Sequence, residues 1–149
     1  MTIEEALAVL AEGQQQHMCT EPAGELELDR LEEALGRRLP AEFRTFLSRF
    51  GGGILYERHE VFGARRLMVH DIELVPDLVS FRQRFVESLG HELAEDLVPF
   101  HRADGIVHLL DLRGGGRSSV ISADGKRSYP DLACFLEQVV LPRGARTGP

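Results

Sequence analysis

Only two of the 149 residues are cysteine, Cys19 in a polar stretch and Cys134 in an apolar one. Two cysteines so placed make neither a disulfide framework nor a zinc cluster, and Cys134 reads as a small core residue. Lysine is scarcer still: Lys126 stands alone against sixteen arginines, a bias of composition rather than a sign of chemistry. No apolar run approaches the roughly 20 residues that span a bilayer, and Met1 to Glu5 opens with acids where a signal peptide carries basic residues. A cytoplasmic protein without a membrane partner is expected. Basic residues are also in deficit, 17 against 24 acidic ones, for a net charge of -7. That argues against direct nucleic-acid binding, which draws its affinity from clustered Lys and Arg.

What remains suits one ordinary domain. With 43% hydrophobic and 28% charged residues the composition is globular, and at this length folding buries roughly 68–70% of the surface of the unfolded chain. The acidity is local. Residues 1–36 carry Glu4, Glu5, Glu12, Glu21, Glu25, Glu27, Asp29, Glu32 and Glu33 against Arg30, a block of -8, whereas residues 37–149 are nearly neutral. Such a block reads either as a solvated helical face or as a docking surface for a basic partner, with Glu21, Glu25, Glu27, Asp29, Glu32 and Glu33 as its candidate contacts.

Thr2 and Glu5 have the spacing of a capping box ahead of Ile3, Ala6, Leu7 and Leu10, predicting a first helix that stops at Gly13. Residues 13–24 have no periodicity and read as a loop. Leu28, Leu31, Leu35 and Leu39 recur every three or four residues, predicting a helix over about 26–38. Pro40 suits the first turn of a third helix with the stripe Phe43, Phe46, Leu47 and Phe50, which Gly51, Gly52 and Gly53 end. Short apolar runs at 54–56, 61–62 and 67–69 then suggest hairpin strands, 71–74 is ambiguous, and Pro76 starts a helix that Gly90 closes. Strands follow at 97–100, 106–112, 118–122 and 126–129, with turns at 114–116 and at Asp124 and Gly125, before a last helix over 130–141. Most of these connections are too short for parallel crossovers. The expected fold is α+β: a single domain over 1–141 with N-terminal helices packed on a mainly antiparallel sheet of short strands, a mid-chain helix and a C-terminal helix, followed by a flexible tail over 142–149.

Six histidines, His17, His59, His70, His91, His101 and His108, invite a metal reading. None pairs with another ligand at a diagnostic interval apart from His17 with Cys19, which lacks a second pair, so no metal and no cofactor are expected. His101 with Asp104 and His108 with Asp111 are the acid–base candidates, because a carboxylate orients an imidazole. On a strand, residues three apart point to opposite faces, so the second pair does not meet, and both histidines read as surface or edge residues. No Gly-x-Ser-x-Gly elbow occurs, and GGGRSS at 114–119 lacks the lysine and the following helix of a P-loop. The chain is expected not to be an enzyme.

Residues 31–53, LEEALGRRLPAEFRTFLSRFGGG, are more specific. They resemble the SUKH superfamily (the Smi/Knr-type domain), whose members include fungal regulators of cell-wall synthesis and many bacterial immunity proteins. Glu33, Leu35, Gly36, Leu39, Pro40, Phe43, Phe46, Leu47, Gly51 and Gly52 stand where that pattern has its helix end, its Leu-Pro, its aromatic helix and its glycine pair. LVPFHRADGIVHLLDL, ending near Asp111, is similar to the family's strand, turn and strand, and PDLACFLEQVV to its terminal helix. The resemblance covers about residues 25–141. It implies a non-enzymatic protein-binding module, in bacteria an immunity protein that neutralises a cognate toxin, often a nuclease or deaminase, by direct binding. The alternative it implies is an intracellular scaffold or regulator without a toxin. A toxin with a basic substrate groove would be steered to the acidic block.

Overall fold

The structure, a computed structural model, describes residues 1–113 and 119–142. The glycine-rich turn at 114–118 and residues 143–149 of the expected tail lie outside the described residues. Helix α1 spans Ile3–Glu12, and its capping box forms as expected: Glu5 N–H donates to Thr2 Oγ1 at 3.1 Å and Thr2 N–H to Glu5 Oε1 at 3.0 Å. Helix α2, Glu25–Leu35, is shorter than its leucine spacing predicts. Gly36 takes a left-handed conformation with φ +70 and turns the chain out three residues before Leu39, which still buries its side chain. Pro40 then caps α3, Ala41–Phe50, and Phe43, Phe46 and Leu47 point into the core.

The described residues hold nine strands in chain order: β1 Met18–Cys19, β2 Gly53–Leu55, β3 His59–Val61, β4 Leu67–Val69, β5 Ile72–Val75, β6 Leu97–Ala103, β7 Ile106–Asp111, β8 Ser119–Ser122 and β9 Ser128–Tyr129. Seven of them form one sheet in the order β1-β2-β3-β6-β7-β8-β9, antiparallel at every pairing. Strands β4 and β5 form a separate hairpin that, with helix α4 (Leu78–Leu89), occupies the excursion between β3 and β6. The segment read as a loop therefore contains a strand, since Met18 and Cys19 pair with Ile54 and Gly53; two residues are too few to carry a pattern of their own. Burial on β1 pushes the Cys19 thiol up to about 11. The end of α3 and the chain leaving β3 meet closely at Gly63, where a Cβ would collide with the Gly51 carbonyl oxygen.

The last helix also differs from expectation. It starts at Leu132, winds as α-helix through Phe135 (α5) and continues as a π turn over Leu136–Val140. Asp131 caps it by accepting from Cys134 N–H at 2.8 Å, and Glu42 of α3 accepts from Leu132 N–H at 3.1 Å, tying the two helices together. Cys134 sits half-buried at the edge of the core rather than within it and accepts from Gln138 Nε2. Phe43, Phe100 and Phe135 form the aromatic centre, with ring centroids 5.6 and 5.4 Å apart in sequence. No helix among the described residues is long and apolar enough to cross a membrane.

Candidate functional site

Two regions hold the chemistry. The first is α2 and the strand of chain before it. Glu25, Asp29 and Glu32, spaced by four and three, lie on one face of α2 and all reach Arg44 of α3, at 2.8, 3.3 and 2.6 Å. Glu32 also accepts from the Leu39 backbone N–H at 2.6 Å and so holds the α2–α3 turn. Glu21 and Glu27 reach Arg65 of the β3–β4 connection. Glu33 is exposed and makes no ion pair among the described residues. Five carboxylates thus reach Arg44 and Arg65; counting Glu33 and the neighbouring Arg30 as well, six negative charges stand against three positive ones, an excess of three. The exposed pairs are weak, about 0–1 kcal/mol each, and remain open to competition by another cation.

Beside these carboxylates runs a groove of about 750 Å³ lined by Leu26, Leu31, Ala34, Ala64 and Val79 with Glu25, Glu27, Arg30 and Arg65 among its polar walls. It adjoins, through Ala34 and Val79, a smaller recess of about 280 Å³ between α2 and α4 that Val86 lines. Leu26 is 62% exposed there, an apolar side chain amid acids. The structure thereby gathers five of the six candidate residues around two arginines that the first 36 residues do not contain.

The second region is a row of histidines. A bulge in the β6–β7 pairing between Pro99 and His101 puts two successive residues, Phe100 and His101, against Phe135. His101 stands opposite His108, and His108 opposite Ser122. His59 reaches His101 from β3: its Nδ1 lies 2.9 Å from His101 Nε2, and His101 Nδ1 lies 3.1 Å from His108 Nδ1. All three are buried, at 3%, 0% and 6% exposure, which overturns the reading of His101 and His108 as surface residues. Burial, reinforced by Arg58, depresses His59 to about 4; burial and the two flanking imidazoles depress His101, and burial depresses His108 against the pull of Asp124. The row is neutral at pH 7.

The expected carboxylate partners do not join it. Asp104 is bound by Arg58, whose Nε donates at 2.9 Å, and that hydrogen bond holds its carboxyl below the ordinary range. Asp111 is bound by Arg113. His101 already uses both nitrogens on other imidazoles, and no set of three or more His, Cys, Asp or Glu side chains among the described residues is placed to hold a metal. His17 is occupied elsewhere: Tyr56 N–H donates to its Nδ1 at 3.0 Å, so its Nε2 carries the proton and donates to Leu10 O at 2.9 Å.

One signal for the row was present in the sequence. Asp104 and Gly105, both at positive φ, make the tight β6–β7 turn, and counting back three residues on each side brings His101 opposite His108. Nothing in the sequence brings in His59, which arrives across a crossover.

The model of the SMI1 / KNR4 family (SUKH-1) matches residues 22–138. No curated protein matches the chain at a significant level. Among solved structures, a protein from Pseudomonas syringae pv. tomato is similar over 89% of this chain and 96% of its own, with a TM-score of 0.65 and 16% identity, a likeness of fold alone. The helical pair around Gly36 and Pro40, the antiparallel sheet and the family match over most of the chain agree: the protein belongs to the SMI1 / KNR4 family (SUKH-1).

Proposed function

We propose that the chain is a non-enzymatic binding module that neutralises a basic toxin domain, of the nuclease or deaminase kind, by direct contact through the α2 face. The family supports the coarser half of this reading, since its members often bind protein partners and are generally non-catalytic. The observation that supports the finer half is the groove along α2: an apolar floor with an exposed Leu26, beside Glu25, Asp29 and Glu33, which are held only by surface ion pairs or by none, and the half-buried Glu27 on Arg65. An apolar anchor inside a ring of one sign of charge fits a partner with the opposite sign, and the charge speeds encounter.

The test is co-expression with the product of the adjacent gene and purification at low and high salt. A salt-sensitive complex, lost when Glu25, Glu27, Asp29 and Glu33 are reversed to Lys and weakened at least about tenfold by Leu26→Ala, is expected. A complex that survives the reversal places the interface elsewhere, and a neighbour product that never binds removes the toxin reading. Glu32 is left unchanged because its role at Leu39 is structural.

A further inference from the structure

The histidine row forms one wall of a cavity of about 420 Å³ that shares no residue with the α2 groove. We propose that this cavity binds a small tetrahedral oxyanion, inorganic phosphate or a phosphomonoester, and that one proton enters the row with it.

The hydrogen-bond arithmetic of the row carries the argument. Each imidazole–imidazole contact needs one N–H and one bare nitrogen. In the neutral row the two N–H bonds point the same way, so of the outer nitrogens, His59 Nε2 and His108 Nε2, one carries a proton and one does not. Adding one proton lets His101 donate at both ends, to His59 Nδ1 and His108 Nδ1. No hydrogen bond is lost, and both outer Nε2 atoms become donors. A second proton sets two N–H groups against each other. The row therefore has room for one proton, and taking it yields a cation with a donor at each end.

Those ends are open. Among the described residues Glu27 Oε1 is the buried side-chain oxygen or nitrogen without a partner; His59 Nε2 and His108 Nε2 have no hydrogen bond either, so they keep solvent contact. The charged groups around the row are Arg58 beside His59, Asp104 at the β6–β7 turn, and Asp124, Lys126 and Arg127 at the β8–β9 turn. Ser122 and Tyr129 complete the polar wall, and the closing helix brings Phe135 and Val139, which carry no charge. Asp104 is taken by Arg58, and Asp124 accepts from Ser122 Oγ at 2.6 Å and Lys126 N–H at 3.0 Å. The side chains of Lys126 and Arg127 form no hydrogen bond or ion pair among the described residues. Three cations against two anions leave an excess of one positive charge, and the added proton makes it two, the charge of a phosphate dianion. An apolar ligand would leave these donors unanswered, and a cation would meet like charge.

Titration calorimetry with sulfate, which stays a dianion across the range, and with inorganic phosphate tests this between about pH 8 and about pH 6. Sulfate is expected to bind up to about tenfold more tightly for each unit the pH falls, with close to one proton taken up per anion when buffers of different ionisation enthalpy are compared. Lys126→Gln together with Arg127→Gln, both exposed, is expected to weaken binding at least about tenfold while the protein stays folded. His108→Leu, which leaves His101 Nδ1 no acceptor, is expected to remove the proton uptake. Absence of binding at millimolar anion, binding without a pH dependence, or binding unchanged in the Lys126→Gln, Arg127→Gln variant overturns the proposal. Imidazole nitrogen shifts measured by NMR in the unsubstituted protein give a second reading: Nε2 signals of His59 and His108 that do not move with sulfate overturn it as well.

Discussion

The α2 face and the histidine row treat polar groups in opposite ways. On α2 most of the carboxylates lie at the surface, and they are paired with arginines from α3 and the β3–β4 connection. In the row the groups are neutral, almost wholly buried and paired with one another. Charge that stays in water costs little and contributes little to stability, while a polar group out of water must have its partner. The first arrangement therefore tolerates substitution wherever the carboxylate lies at the surface. The second does not tolerate it, and links the stability of the fold to proton concentration.

Breaking the row should have the largest effect. Phe135 packs on Phe100, His101, His108 and Tyr129, so Phe135→Ala is expected to lower stability by about 3–5 kcal/mol, read from the urea midpoint. Acid should come next. A histidine depressed in the folded state binds its proton more readily when unfolded, so its contribution is complete above about pH 6.5 and is lost as pH falls towards about 4, the value of His59. Each such group adds a slope of up to about 1.4 kcal/mol per pH unit in that interval. Urea midpoints at falling pH, compared between the native chain and His59→Gln, check it; equal slopes would sink the idea.

Smaller effects sharpen the contrast within α2 itself. Glu32→Ala should cost about 1–2 kcal/mol, because it leaves the Leu39 N–H without its acceptor in a partly buried turn. Glu25→Ala, whose carboxylate is 85% exposed, should stay within about 0.5 kcal/mol by the same measurement. If the two change stability equally, the division between structural and surface carboxylates on this helix is wrong.

Much of this was legible in the sequence, and the reasons for success and failure are physical. The helices carry their signals locally: Thr2 with Glu5, the Phe stripe of α3 and the glycine stops are all contained within a turn or two. The α+β class followed from short connections. The acidic block was visible as a count, yet its neutralisation was not, because Arg44 and Arg65 come from other elements. β1 escaped notice since its existence depends on β2. The histidine row depends on strand order, which places β3 next to β6 across a hairpin and a helix, and on a bulge that turns His101 inward. Sequence distance gives no measure of either.

The π turn at Leu136–Val140 has a further consequence for how the protein can vary. Such a turn holds one more residue than the regular winding would, so a chain lacking one residue here would still form a continuous helix. Everything beyond the deletion would keep nearly its present facing, because the five residues of the wide turn sweep about the same angle as four at the regular 100° per residue. Leu141, beyond the turn, would then stay in the core, while Val139, inside it, would be repositioned over the histidines. The side chain that covers the cavity is thus chosen by the number of residues in the last helix as well as by their kind, which makes this turn the place where an insertion or deletion could refit the cavity while sparing the sheet beneath it.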